Sequence, residues 1–188
     1  MGYWDEDANI DTYETMADGY DGRALVEYLQ AHVPAGSTVL ELGMGPGKDL
    51  DMLAETFKAA GSDASQIFVD RYRARNPSGD VFLLDATTLD TDRRFDALYS
   101  NKVLQHLTRE AFQASLRRQA EVVRPGGVVL HALWYGDSSD VHHGMLFNNY
   151  TEDSLKAALP PEFEVVDLTR YEEMAPNDSL RVHLRRRD

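Results

Sequence analysis

Three carboxylates stand where a ligand of an α/β sheet would meet them. Glu41 lies within the apolar run Val39-Leu40-Glu41-Leu42, Asp63 follows a weaker strand candidate, and Asp85 follows the run Val81-Phe82-Leu83-Leu84. Directly after the first run, Gly43, Gly45 and Gly47 occupy alternate positions. Glycine admits positive φ and lets a ligand approach the backbone with no Cβ in the way. A carboxylate at a strand end can accept two hydrogen bonds from the vicinal hydroxyls of a ribose. Asp63 lies 20 residues past Gly43, the spacing expected of a ribose-binding acid. Asp85 is placed to accept from the exocyclic amine of a purine, and Glu41 to favour a positive group near the glycine loop. Each acid taken singly could equally cap a turn or face water. All three in strand order point to a nucleoside-like ligand. The glycines read G-x-G-x-G rather than G-x-G-x-x-G, and Pro46 removes one N–H that a pyrophosphate could use.

Other residues with chemistry to offer lie downstream. His106 follows the fourth strand and is a candidate general base, with a packing or capping imidazole as the alternative. His142 and His143 fall in a long segment, Trp134 to Tyr150, with Tyr135 and Asn148. That segment is either the wall of an acceptor pocket or a packed surface loop. The paired histidines have no acid at ligand spacing, so no metal site is expected.

The elements that must position these groups alternate. Helices are expected over Gly22–Val33, Asp49–Ala60, Ala64–Asn76, Arg109–Val123 and Glu152–Leu159, from apolar residues at helical spacing. Strands are expected over Thr38–Leu42, just before Asp63, and over Val81–Leu84, Phe95–Tyr99, Val128–Leu133, Phe163–Tyr171 and Ser179–Arg185. Arg124-Pro125-Gly126-Gly127 reads as a turn. Lys58-Ala59-Ala60-Gly61 is a poor strand sequence, so the second strand is the weakest of the set. The fold class that follows is α/β: a doubly wound, mostly parallel seven-stranded sheet with an antiparallel C-terminal hairpin and helices on both faces. No repeat or linker divides the 188 residues, so residues 1–188 read as one domain.

Composition limits the partners. The formal charge is −13, which disfavours broad binding to nucleic acid or to an anionic membrane. No apolar run reaches the ~20 residues of a membrane span. The acidic N-terminus lacks the pattern of a signal peptide, and there is no cysteine, so cytoplasmic residence is the expectation. Asp5 to Asp21 carries no basic residue and reads as a solvated helix face or a frayed arm; Arg185-Arg186-Arg187 reads as a solvated strand end rather than a nucleic-acid patch.

The ordered motifs resemble class I S-adenosylmethionine-dependent methyltransferases of the small-molecule type. The first is Val39-Leu40-Glu41-Leu42-Gly43-Met44-Gly45-Pro46-Gly47; Gly61-Ser62-Asp63-Ala64-Ser65, Leu84-Asp85-Ala86 and Phe95-Asp96-Ala97-Leu98-Tyr99-Ser100-Asn101 follow. Val103-Leu104-Gln105-His106-Leu107 and Arg124-Pro125-Gly126-Gly127 continue the series, and Tyr13 to Asp21 resembles an N-terminal lid helix within residues 1–33. The resemblance implies S-adenosylmethionine as cofactor and S-adenosylhomocysteine as product. It places Gly43, Gly45 and Gly47 along the methionyl part, Glu41 near it, Asp63 on the ribose, and Asp85 with Ala64 and Ala86 around the adenosine. Ser100 and Asn101 would line the sulfonium, and Tyr13 and Tyr20 would close over it. Glu41 stands where Asp is commoner, Pro46 where Thr or Ser is frequent, and Gln105 where many relatives carry His.

The implied activity is in-line transfer of the methyl to a small-molecule nucleophile. Gln105, Trp134, Tyr135, His142, His143 and Asn148 would form the acceptor pocket within residues 134–150, and His106 would act as base. The position of the Asn-Pro-Pro-aromatic turn of amino-methylating nucleic-acid enzymes reads Ser100-Asn101-Lys102-Val103 here, so no nucleic acid is expected. No membrane partner is expected either, and the chain would act as a monomer or homodimer. Two other readings remain: a silent cofactor-binding partner or sensor, and a nicotinamide-dependent oxidoreductase.

Overall fold

A computed structural model describes residues 6–16, 19–20, 22–142 and 144–188. The chain order is α1 (Asp7–Met16), α2 (Arg23–His32), β1 (Thr38–Leu42), α3 (Lys48–Ala54), β2 (Lys58–Asp63), α4 (Gln66–Arg75), β3 (Val81–Leu83) and β4 (Phe95–Asn101). A 3-10 turn (Leu104–His106), α5 (Arg109–Val122), β5 (Val123–Trp134), β6 (Ser139–His142), β7 (Met145–Asn148), α6 (Glu152–Ala158), β8 (Phe163–Tyr171) and β9 (Ser179–Arg186) complete it.

Seven strands form one sheet in the order β3-β2-β1-β4-β5-β9-β8. The first five are parallel; β9 runs antiparallel to both β5 and β8. Alternate residues of each strand enter different layers, as the period of two requires. Leu40, Leu42, Leu98, Val129 and Leu133 pack with Phe112, Leu116 and Ala120 of α5. Val39, Ala97, Tyr99, Leu130 and Ala132 pack with Leu25, Val26 and Leu29 of α2 and with Leu53 of α3. Both faces of the sheet are therefore covered, and the strand order reverses beside β1, where a doubly wound sheet opens its ligand crevice.

Three expectations about elements are corrected. The helix expected over Asp49–Ala60 stops at Ala54, because residues 58–63 are β2, paired residue for residue with β1 from Thr38↔Lys58 to Leu42↔Ser62. Small residues make that strand possible. A Cβ on Gly61 would lie 2.4 Å from Leu50 Cδ2 and 2.6 Å from Met44 Sδ, so the missing side chain is the space into which those neighbours pack. The turn expected at Arg124–Gly127 is instead the irregular start of β5, whose register on β4 jumps from Phe95↔Val123 to Ala97↔Val128. Within Trp134–Tyr150, β6 and β7 form a separate antiparallel hairpin, so the segment is not one open loop.

The acidic N-terminal segment is more than a solvated face. Arg71 of α4 holds Asp7 at 2.7 Å, Asp11 at 2.8 Å and Glu14 at 3.1 Å. The three acids share one face of α1, and their pairing with Arg71 joins that helix to α4 alongside buried Ile10 and the Tyr13–Phe68 contact. The cluster holds the Arg71 pKa above its ordinary value, its hydrogen bonds to Asp7 and Asp11 first among the causes.

Candidate functional site

The carboxyl ends of β1 to β4 release four loops toward α1. Between them lies one cleft in two lobes that share Tyr13, Gly43, Asn101 and Lys102. The smaller lobe, about 120 Å³, is also lined by Tyr20, Gly22, Glu41, Met44, Pro46, Lys48, Asp49 and Glu173. The larger, about 340 Å³, is lined by Gly45, Asp63, Ala64, Phe68, Leu84, Asp85, Ala86, Thr87, Val103, His106 and Leu107.

The glycine loop makes the floor. Gly43 has φ +68°, and a Cβ there would meet Val103 Cγ1 and Cγ2 at 2.6 Å. Only glycine lets β1 turn at that point under the β4 loop. Gly45 donates its N–H to Asp63 Oδ2 at 2.9 Å, while Ser65 donates to Asp63 Oδ1 at 2.8 Å. Asp63 thus ties the first loop to the second and keeps lone pairs on both oxygens for a ligand. Its pKa is raised by burial, against the pull of those backbone donors. Gly47 also has positive φ, +83°, but its own place is beneath Tyr72 at the start of α3 rather than in the cleft lining. Asp85 Oδ1 accepts from Thr87 N–H at 2.6 Å, which shapes the third loop around Ala86.

The smaller lobe is rich in acceptors that nothing fills. Glu41 is 3 % exposed, and its Oε2 has no partner among the described residues; neither has Asn101 Oδ1. Burial first, then the charges of Asp49, Asp63 and Asp51, push the Glu41 carboxyl well above its ordinary pKa. Asp49 is the second buried acid here, and it is a residue that motif reading passes over. Its Oδ1 accepts from Gly22 N–H at 2.8 Å, and its Oδ2 accepts from Tyr99 Oη at 2.7 Å and Asn101 Nδ2 at 3.1 Å. An acid in the first turn of the helix after the glycine loop is the signal that could have found it.

Lys102 was also not anticipated. Its φ is +56°, uncommon for a side chain with a Cβ, at the point where β4 ends. Its Nζ donates to Leu133 O (3.0 Å) and Ser179 Oγ (2.7 Å), pairs with Glu173 (3.0 Å), and sits 3.9 Å from the centre of the Trp134 ring. That anchor brings Glu173, from the loop between β8 and β9, to the rim of the cleft.

Tyr13 stands between the lobes, its ring edge-on to Phe68 at 6.1 Å, and burial raises its pKa. Tyr20 is half exposed at the mouth. His106 donates from Nδ1 to Leu146 O at 2.8 Å, packs edge-on against Phe147, and is held below its ordinary pKa by burial. Its basic nitrogen is therefore Nε2, and the ring is neutral at pH 7.

Several residues expected at the site lie elsewhere. Ser100 shares the parity of Leu98, so its side chain enters the α5 layer, fully buried, where it bonds His131 at 2.7 Å. Gln105 is buried outside the lining, where its Nε2 donates to Lys102 O at 2.6 Å and lies 3.5 Å from His106 Nε2. Trp134 is the platform for Lys102, and Tyr135 lies beneath the Arg170 guanidinium at 3.8 Å. Asn148 is a clamp: Nδ2 donates to Leu107 O at 2.7 Å and Oδ1 accepts from Ser139 Oγ at 2.6 Å. His142, on the exposed strand β6, packs against Phe147 and is not part of the cleft lining. His143 lies outside the described residues, as do Ala17, Asp18 and Asp21 of the N-terminal motif. Among the described residues no helix is long and apolar enough to cross a membrane.

Residues 39–127, which hold all three glycines and all three acids, match the family described as a methyltransferase domain. The chain is 37% identical over 106 residues to a trans-aconitate 2-methyltransferase of Methylobacterium radiotolerans, covering 54% of this chain and 40% of that protein. It is 36% identical over 112 residues to a tRNA (carboxymethyluridine(34)-5-O)-methyltransferase of Macaca fascicularis, covering 58% of this chain and 16% of that protein. The chain thus spans less than half the length of these curated relatives. Among solved structures, the 1,6-didemethyltoxoflavin-N1-methyltransferase of Burkholderia thailandensis, crystallised with 1,6-didemethyltoxoflavin and S-adenosylhomocysteine, superposes with a TM-score of 0.76. That likeness has 24% identity and covers 95% of this chain and 83% of the other, and it shows the shared Rossmann-like fold.

Proposed function

We propose, from the premise that the chain belongs over residues 39–127 to the methyltransferase-domain family, that it transfers a methyl group from S-adenosylmethionine to a small-molecule nucleophile. The observation that carries this reading is the pairing of the two lobes. One ends in a buried carboxylate whose Oε2 has no partner among the described residues, and the other is rimmed by Asp63 and Asp85.

The residues fit the cofactor. Glu41 Oε2 and Asn101 Oδ1 offer unfilled acceptors to a cationic amino-acid end, and a cation there would stabilise the ionised form of Glu41 that burial disfavours. Asp63 would hold the ribose hydroxyls with the lone pairs left by its two loop bonds. Asp85 and the Ala86 backbone would read the adenine against Phe68. When bound, the cofactor supplies an electrophilic sulfonium methyl, so the chemistry asks the protein mainly for placement and dryness. Tyr13 covers the junction of the lobes and excludes water. His106, neutral with its Nδ1–H spent on Leu146, accepts the acceptor's proton at Nε2.

A small acceptor is favoured over nucleic acid by the charge of −13, which repels a polyanion. The superposed structure carrying a small heterocycle supports the same choice. Isothermal calorimetry with S-adenosylhomocysteine and with NADH tests the cofactor, and failure to bind S-adenosylhomocysteine ends the reading. Methyl transfer to a member of an acceptor panel containing amines, carboxylates, phenols and a tRNA pool tests the acceptor. Transfer to the tRNA pool alone would overturn the small-molecule choice.

A further inference from the structure

A run of four polar side chains crosses the α5 layer of the core with no access to water. Ser100, Ser115, Gln119 and His131 are each 0 % exposed. Their donors and acceptors can be ordered from one end. Ala86 O can only accept, so Ser115 Oγ donates to it, at 2.6 Å. Ser115 Oγ must then accept from Gln119 Nε2, at 3.0 Å. Gln119 Oε1 therefore faces His131 Nε2, at 2.8 Å, and that nitrogen carries the proton. His131 Nδ1 is left to accept from Ser100 Oγ, at 2.7 Å. Every link is satisfied in one direction and in no other.

The two ends of this run are informative. Ser100 immediately precedes Asn101, which lines both lobes; Ala86 lies in the loop that lines the larger one. The same loop is gripped again by α5, where Arg118 donates to Leu89 O at 3.1 Å and to Thr91 O at 2.9 Å. Leu89 there has φ +40°, an uncommon backbone conformation for leucine. Apolar residues of similar shape could fill this layer without the desolvation of four polar groups. A fully satisfied buried network instead fixes one arrangement.

We infer that Ser100, His131, Gln119 and Ser115 act together as positioning residues that hold the Ala86 loop at a fixed distance from the β4 end and so set the adenine specificity of the cleft. The inference rests on the cofactor reading above, and its test separates the two. Calorimetry compares S-adenosylhomocysteine with S-inosylhomocysteine, in which hypoxanthine replaces adenine. Ser115→Ala and Gln119→Leu are expected to shrink the wild-type preference for the adenine ligand about fivefold, and Ser115→Thr to restore it. A general loss of packing would lower both affinities and leave their ratio alone. An unchanged ratio in variants that still bind overturns the inference. Wild-type protein that binds neither ligand overturns the cofactor reading instead. The imidazole nitrogen NMR signals of wild-type protein give a check that needs no variant. The Nε2–H tautomer of His131 is expected, and the Nδ1–H tautomer overturns the proposed order.

Discussion

Glu41 and His106 are two titratable side chains of the cleft whose pKa values burial moves in opposite directions. Glu41 is desolvated and surrounded by like charge, so its folded pKa lies above its unfolded one. The folded state then binds the extra proton, and this residue contributes stability at low pH that is lost as pH rises from about 4.5 through the raised value. Glu41→Gln removes that loss. Its unfolding free energy, from urea titrations, should gain on wild type between pH 4.5 and 8. The same variant should bind S-adenosylhomocysteine at least tenfold more weakly, since one of the two unfilled acceptors of the smaller lobe loses its charge. A variant that gained stability and kept its affinity would place the cationic end of the ligand elsewhere. For His106, replacement by alanine should lower kcat by roughly 10²–10⁴ if Nε2 takes the acceptor's proton. The wild-type pH–rate profile should rise through an apparent pKa below 6.5, the side to which burial moves this imidazole. The acids at 41, 63 and 85 were legible because each lies at or just beyond the carboxyl end of a strand, and those ends share an edge. Asp49 and Lys102 were not, because their roles depend on contacts distant in sequence: Tyr99 and Asn101 of β4 against Asp49, and Glu173 of the β8–β9 loop against Lys102.

Elements were readable where pattern and packing agree. The apolar faces of α2 and α5 and the runs of β1, β4 and β9 follow the expected spacing closely. β2 did not, because β propensity measures a side chain's fit to a half-buried surface, and here the fit is achieved by having almost none. Gly61→Val should cost about 1–3 kcal/mol by overpacking against Leu50 and Met44, read as a lower urea midpoint with an unchanged slope. Ser100 was misplaced for a related reason: its position in the chain is right, but the parity of Leu98 and Leu42 assigns it to the α5 layer. The hairpin β6–β7 was invisible as a pair of strands, yet it supports the site. Asn148→Ala unties Leu107 O from the hairpin and should destabilise the fold by about 1–2 kcal/mol. By loosening Leu146 against His106, it should raise KM for the acceptor while leaving S-adenosylhomocysteine affinity near wild type.

The whole molecule carries opposing responses to acid. Burial is the leading cause that depresses His131 to about 3 and His183 to about 4. Both are neutral when folded and take up protons when unfolded, so their contribution is full above pH 6.5 and is lost as pH falls toward those values. In the Glu41→Gln background, where the opposing contribution of that carboxyl is gone, the unfolding free energy should fall from pH 6.5 to 4. A flat curve there would mean that the two imidazoles are not desolvated as their burial implies. The net charge of −13 adds self-repulsion, so raising NaCl from millimolar to about 0.15 M should raise Tm.

Spatial order and order of synthesis disagree at the seat of β9 between β5 and β8. A nascent chain emerging from the ribosome can pair β1 to β5 as each is made, but β8 arrives before the strand that must separate it from β5. Until residues 179–186 follow, the hydrophobic edge of β5 is a bare template for any other extended segment nearby. The vulnerable interval of this protein's life is therefore the time taken to translate the stretch from β5 to β9, and slow codons there would be expected to lower soluble yield with no change in the mature fold.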